Sequence, residues 1–287
     1  MSPFVFQVLG LVALIIGLYV GYVRWIKPHQ NAIGKSGQGL LLLVTLTLMG
    51  GFLGAPAWWL DAQGSFSWDL PPLASRMLAA AGWSFAVISF LALQRPTYER
   101  LRLVLTLLLV YLAPLAAAII LFHLDRFDPT APITYAFFAI VFLMIIPATG
   151  YLIWQPEIIP EDARDLASSS RLTQFWLIII AVICAFWGVA LFVTDSGPWT
   201  WVWVWRGDLL SSRLIGVMLL TIAVGSITGF RRVDVARLML IMIVTYGIGL
   251  ALASLWNGLA GKPIPVSYAS VFGGMAVISA ILLSIDR

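Results

Sequence analysis

Two arginines are the residues in this chain best suited to chemistry. Arg76, in "WDLPPLASRM", and Arg213, in "WRGDLLSSRL", stand 137 positions apart, each at the mouth of a long apolar run. A guanidinium stays charged in a protein and grips a phosphate or carboxylate through two parallel hydrogen bonds. Two of them converging on one place would bind an anionic headgroup or substrate. Taken singly, each also suits a helix anchor, its charge reaching the membrane surface while its methylenes stay in hydrocarbon.

Aromatic residues gather in the same regions. Trp58, Trp59, Trp68, Trp199, Trp201, Trp203, Trp205 and Trp256 all fall toward the side that carries both arginines. An interfacial aromatic belt accounts for tryptophan there. The stretch "WTWVWVW" places an indole at every second position from Trp199 to Trp205. If extended, it would turn its four indoles to one side and offer a docking surface for lipid, glycan or protein. "PITYA" (Pro132–Ala136) and "PVSYA" (Pro265–Ala269) predict helix starts, with Tyr135 and Tyr268 at that same interface. The candidate binding residues are therefore Arg76, Arg213, Tyr135, Tyr268, Trp203 and Trp205.

Catalytic groupings are sparse. "HLDRFD" brings His123, Asp125 and Asp128 together, and imidazole with two carboxylates suits a divalent ion. The loop "WNGLAGK" later in the chain has none of these groups, so an ordinary polar loop is the simpler reading. The only other histidine is His29, in a loop, which leaves no pair of histidines to hold a haem between helices. No lysine lies in an apolar run. All 13 acidic residues lie in loops or at span ends, which counts against ion-coupled transport through an intramembrane carboxylate. No nucleotide-binding, zinc-protease or nucleophile-elbow motif occurs. Nothing in the sequence requires a cofactor or a metal, and no catalytic set is identified.

These residues must be positioned by membrane helices. The chain of 287 residues is 61% hydrophobic and 10% charged, with a mean hydropathy of +0.97. A soluble domain cannot hide that much apolar surface. Nine apolar stretches, near 4–23, 39–60, 73–94, 101–123, 132–154, 173–194, 209–230, 237–257 and 264–285, are long enough to cross about 30 Å of hydrocarbon as helices. Helix is the form that satisfies an open backbone in lipid. The first stretch has no basic residue before it and no small-residue cleavage site, so it reads as a retained span rather than a signal peptide.

Loop charges predict the orientation. Twelve of the 17 lysines and arginines, from Arg24 to Arg287, fall on one side; Arg76, Arg126, Arg206, Arg213 and Lys262 fall on the other. The first side is expected to be cytoplasmic, with the N-terminus outside and the C-terminus inside, as in a multi-pass protein of a bacterial cytoplasmic membrane. The net charge of +4 comes without a basic tract and implies no nucleic acid. The single cysteine, Cys184, lies in an apolar run and allows no internal disulfide.

The arginine spacing also predicts a duplication. A shift of 137 superposes Arg76 on Arg213, Arg95 on Arg232, Arg100 on Arg237 and Ser89 on Ser226; a shift of 133 superposes "PITYA" on "PVSYA". The expected fold is all-α, with nine transmembrane helices: an N-terminal helix and basic loop over 1–38, then two tandem parallel four-helix repeats over 39–154 and 173–287, joined by a polar linker over 155–172. Gly17/Gly21, Gly50/Gly54 and Gly225/Gly229 allow close helix approach, within the bundle or toward a partner or second copy. Pro114 and Pro147 sit inside spans of the first repeat and predict kinks there.

The leading functional expectation is a non-enzymatic carrier or binder of a hydrophobic or anionic amphiphile at the outer leaflet, with membrane lipids as partners. The alternatives are an accessory or scaffold subunit of a membrane complex and, behind both, a membrane enzyme whose site carries no familiar motif.

Overall fold

The computed structural model describes residues 3–31, 33–62, 65–66, 68, 70–156, 158, 167–204 and 208–285. Among them are nine helices long and apolar enough to cross a membrane, and the only pairing of extended backbone outside helices is one isolated antiparallel bridge. The chain is an all-helical, multi-pass membrane protein. Its helices are α1 (Pro3–Gly21), α2 (Lys35–Trp59), α3 (Pro72–Gln94), α4 (Tyr98–Phe122), α5 (Pro132–Trp154), α6 (Arg171–Val193), α7 (Leu209–Gly229), α8 (Val233–Leu259) and α9 (Val266–Ile285).

Local chemistry sets the helix ends. Proline occupies the first turn of α3 and α5, where its missing N–H leaves nothing unsatisfied. Ser170 caps α6 by accepting from the amide of Thr173 at 3.2 Å, and Asp208 caps α7 by accepting from the amide of Ser211 at 3.4 Å. α8 begins four residues earlier than hydropathy alone predicts. Its first turn carries Asp234, and a carboxylate is stabilised at a helix N-terminus. α4 and α5 continue unbroken through Pro114 and Pro147.

Neighbouring helices pack as hairpins, α2 on α3, α6 on α7, α4 on α5 and α8 on α9, while α3 crosses onto α8 and α4 onto α7. The centre is α3 and α7: 72% and 78% of their most apolar stretches are buried, against 17% for α1 and α5 at the rim. Glycine-on-glycine contacts let the backbones of two hairpins touch. A Cβ on Gly51 would stand 2.2 Å from the carbonyl oxygen of Gly82, and one on Gly188 would stand 2.9 Å from that of Gly216. Of the six glycines in G-x-x-x-G spacing, Gly17 and Gly21 pack on Met49 and Thr45 of α2, Gly54 faces Trp58 of its own helix, and Gly225 and Gly229 meet Met239 and Val235 of α8. Gly50 has nothing within 4 Å of an added Cβ.

The loops α2–α3, α4–α5, α6–α7 and α8–α9 form what we term the tryptophan face, and the opposite end is the arginine face. On the arginine face, Glu99 of α4 pairs with Arg232 at 2.8 Å, and Arg100 makes a two-pronged pair with Asp234 of α8. The end of the linker is strapped to the α7–α8 connection. The amide of Ser169 donates to Arg231 O at 3.0 Å, and that of Val233 donates to Ala167 O at 2.9 Å.

Candidate functional site

Arg76 and Arg213 are each the fifth residue of their helices, α3 and α7. Each turns to a helix of the other half of the chain, and they share no partner. Arg213 donates through Nε to Phe192 O at 3.1 Å and through Nη1 to His123 Nε2 at 2.8 Å; its guanidinium lies 4.9 Å from the Phe122 ring centroid. The lone pair on His123 Nε2 can accept this bond only from a neutral imidazole. Burial first, and the Arg213 charge second, hold His123 below the usual histidine range, with Asp125 pulling the other way. Arg76 is less well satisfied. It donates once, to Pro72 O of its own helix at 3.3 Å, lies 5.6 Å from the Trp256 ring, and leaves its Nε buried without a partner. No carboxylate among the described residues lies within ion-pair distance of it.

These contacts mark two mouths on the tryptophan face. Where α4 meets α7 the mouth is shut. Phe127 and Trp68 are both buried, with ring centroids 4.9 Å apart, and Phe137 and Phe138 complete the plug. Beside it Arg126 reaches Asp208 at 3.8 Å. His123, Asp125 and Asp128 do not converge: His123 faces Arg213, while Asp128 accepts from the hydroxyl and amide of Thr130 at 2.7 and 2.8 Å. Those two bonds hold Asp128 below the ordinary carboxylate range.

Where α8 meets α3 the mouth is open. A cavity of about 650 Å³ lies between the start of α3, the α6–α7 loop and the α8–α9 loop. Pro71, Pro72, Trp201, Trp203, Asn257 and Lys262 line it, with Val204 and Ser267 among their neighbours. Lys262 is its one charged described lining residue. Asn257 fixes the loop by donating to Pro263 O at 2.8 Å, and Ser267 ties α9 to the α6–α7 loop by donating to Trp201 O at 2.7 Å. Arg76 stands behind this wall, through Pro72 and through Trp256, the neighbour of Asn257.

The aromatic candidates part company here. Residues 199–203 of "WTWVWVW" make a turn rather than an extended segment, because the amides of Val202 and Trp203 both return to Trp199 O. Consequently Trp203 folds inward, 7% exposed, and donates to Thr194 O at 2.9 Å, while Trp199 and Trp201 remain at the surface. Trp205 lies outside the described residues. Tyr268 does not sit at an exposed interface as expected. It is fully buried, donating to Val202 O at 2.8 Å and accepting from Trp187 Nε1 at 3.2 Å. Its motif partner Tyr135 is 64% exposed and bonds only Pro129 O. The α6–α7 loop folds over the first turn of α9 and covers Tyr268. No described residue covers Tyr135 in this way.

Six enclosed hydroxyls have no protein hydrogen-bond partner: those of Thr97 and Tyr98 at the start of α4, and those of Ser89, Tyr111, Ser226 and Tyr246 within α3, α4, α7 and α8. Thr45, Ser84, Thr221 and Ser254, by contrast, bond the carbonyl one turn back. Each orphaned group costs about 1–3 kcal/mol if nothing else meets it. The shift of 137 marks the serines. Tyr111 and Tyr246 belong to no motif, and their one signal is a spacing of 135.

No family model, no curated protein and no solved structure matches the chain, so the reading of the site rests on its own geometry.

Proposed function

We propose that the protein is a non-enzymatic binder or carrier of an anionic amphiphile, and that the open mouth between α8 and α3 is where it binds. The observation that carries this reading is a carboxylate missing from the described residues of that mouth. Helices α2, α3, α4 and α5 start 136, 137, 135 and 134 residues before α6, α7, α8 and α9, and each crossing of α3 on α8 has its counterpart in α4 on α7. We read this as a duplication about an axis along the membrane normal. On that register Arg102 and Arg237, each the fifth residue of its helix, correspond, in place of Arg100 and Arg237.

The two mouths are then equivalent places. At the shut mouth the residue before α7 is Asp208, which answers the cation Arg126. At the open mouth the residue before α3 is Pro71, and the cation Lys262 stands without a described carboxylate. Among the described residues this mouth holds neither that carboxylate nor an aromatic plug. A ligand with an anionic head and an apolar body supplies both. The volume falls within the usual range for small-molecule sites, about 300–1,000 Å³, and the indoles and prolines suit the apolar body. The arginine excess at the opposite end supports an outward-facing site by the positive-inside rule. Five of the six spaced glycines are used inside the chain, which favours this reading over a scaffold that grips partners through glycine faces.

The test is quenching of tryptophan fluorescence in lipid nanodiscs by 12-bromododecanoate, with bromododecyl maltoside as the uncharged control. The carboxylate probe should show a saturable component that Trp201→Phe removes. Lys262→Gln should weaken it roughly tenfold to a hundredfold, the loss of one charge-assisted bond. Pro71→Asp should do the same by restoring the internal carboxylate, and Pro71→Asn should not. Equal quenching by both probes, linear in concentration and indifferent to these substitutions, would refute the proposal.

A further inference from the structure

We infer that the arginine face carries a binding site of its own, a notch between the starts of α6 and α8 and the end of α9, whose ligand is the phosphate head and first methylenes of one anionic phospholipid. It lies at the opposite end of the bundle from the open mouth and does not depend on the amphiphile reading.

Thr173, Val233, Ala236, Arg237, Leu240 and Leu283 line one space there, of about 10 Å³. That is room for about one water-sized group, so a ligand can put only a small part of itself inside. Thr173, Ala236 and Leu240 are buried, and Arg237, the one charged residue of the described lining, is exposed.

The corresponding place in the first half is answered from within. Arg102 is the fifth residue of α4, as Arg237 is of α8. Glu99, three residues before Arg102, lies 3.9 Å from it. Asp234 stands three residues before Arg237 in the same way. Both of its oxygens, however, accept from Arg100, and Arg237 forms no ion pair with any described residue. The pair that joins the two halves therefore takes the acid that Arg237 would have had. Packing differs as well. Tyr151, near the end of α5, lays its hydroxyl on Gly39 of α2, whereas α9 ends in Leu282, Leu283, Ser284 and Ile285 and has no ring to bring to α6.

A guanidinium takes a phosphate through two parallel hydrogen bonds, and basic sites between membrane helices suit anionic lipid heads. The apolar lining selects lipid over free phosphate. Leu240 lies about one turn deeper than Arg237, and Leu283 brings α9 to the same space, so a chain attached to the phosphate continues where a bare ion would meet hydrocarbon. A snorkelling arginine alone meets whichever phosphate is nearest. With a notch beside it, one lipid is held in one place.

Native mass spectrometry of the protein in maltoside detergent, titrated with phosphatidylglycerol, tests this. Phosphatidylcholine with the same chains and glycerol 3-phosphate are the comparison probes. One phosphatidylglycerol should bind ahead of the rest, roughly tenfold more tightly than phosphatidylcholine, and excess glycerol 3-phosphate should not displace it. Arg237→Gln should weaken that first binding roughly tenfold. Leu283→Trp, which fills the notch and keeps the charge, should weaken it too. Arg102→Gln and Lys262→Gln should leave it in place. Equal losses in Arg102→Gln and Arg237→Gln, or equal binding of the two lipids, would overturn the inference in favour of a diffuse basic surface. Displacement by glycerol 3-phosphate would overturn it in favour of a phosphate site without a lipid, and loss in Lys262→Gln would assign the lipid to the open mouth. Arg237 is exposed, so its variant keeps the fold and the test stands even if Leu283→Trp folds poorly.

Discussion

Where α4 meets α7, the chain fills its own mouth: Phe127 and Trp68 stack inside it, Arg126 answers Asp208, and Arg213 is held between Phe192 O and His123. Where α8 meets α3, Pro71 precedes the helix as Asp208 precedes α7, Lys262 stands alone among the described lining, and Arg76 keeps one long bond. Similar helix crossings therefore support opposite solutions. One spends its polar and aromatic groups on stability. The other leaves them unspent, as the proposed binding site requires, since a group satisfied internally has little left to offer a ligand.

The largest expected effect separates plug from cavity. Phe127→Ala removes a buried ring and should cost about 3–5 kcal/mol, whereas Trp201→Ala, at the cavity rim, should cost about 1 kcal/mol. Equilibrium unfolding of the detergent-solubilised variants measures both, and equal losses would erase the distinction. Next come the arginines. Arg213→Lys cannot reach Phe192 O and His123 together and should cost about 1.5–3 kcal/mol. Arg76→Lys should cost under about 1 kcal/mol, lysine snorkelling as well as arginine. If Arg76→Lys proved the costlier change in the absence of any ligand, the open mouth would be structural.

The tyrosines follow. Tyr268→Phe strands Trp187 Nε1 and Val202 O in the interior, a loss of about 1–3 kcal/mol, while Tyr135→Phe at the surface should change stability by less than about 0.5 kcal/mol. The smallest effect is on pH. His123 is held neutral in the fold, so the unfolded chain takes up its proton first as pH falls. Its contribution is complete above about pH 6.5 and is lost as acidification carries the protein through the lowered folded value. Melting temperature should therefore drop between pH 7 and pH 5, and His123→Gln should flatten that part of the profile. An unchanged slope in the variant would assign the acid sensitivity elsewhere.

Hydropathy located the spans because lipid admits few alternatives to helix. Helix ends were legible wherever a capping residue or proline marked them, as at Pro72 and Pro132. α8 was misplaced by a turn because Asp234 reads as a loop residue until Arg100 is seen to neutralise it. The site was legible in residue type and not in arrangement. Arg76 and Arg213 do face the opposite half, but nothing in the spacing reveals that each has its own partners. Tyr135 and Tyr268 share a motif, and only the folding of the α6–α7 loop decides which is buried. Alternating tryptophans suggested an extended ribbon, yet Trp199 closes a turn onto Val202. Lys262 bears on topology alone in the sequence, because a lone lysine in a loop acquires further meaning only from what stands opposite it.

The two ion pairs that join the start of α4 to the α7–α8 corner set an order on the making of the protein. Glu99 and Arg100 leave the ribosome more than a hundred residues ahead of Arg232 and Asp234. At about 5–20 residues per second, the wait is on the order of ten seconds. Throughout it Arg100 waits for Asp234 and Glu99 has Arg102 of its own helix turn, and these charges hold that end of α4 at the water boundary. The lock closes when α8 begins, and closing it fixes the first half to the second. Supplying the halves as separate chains should preserve that step, because both sides of each pair would still meet at the membrane surface.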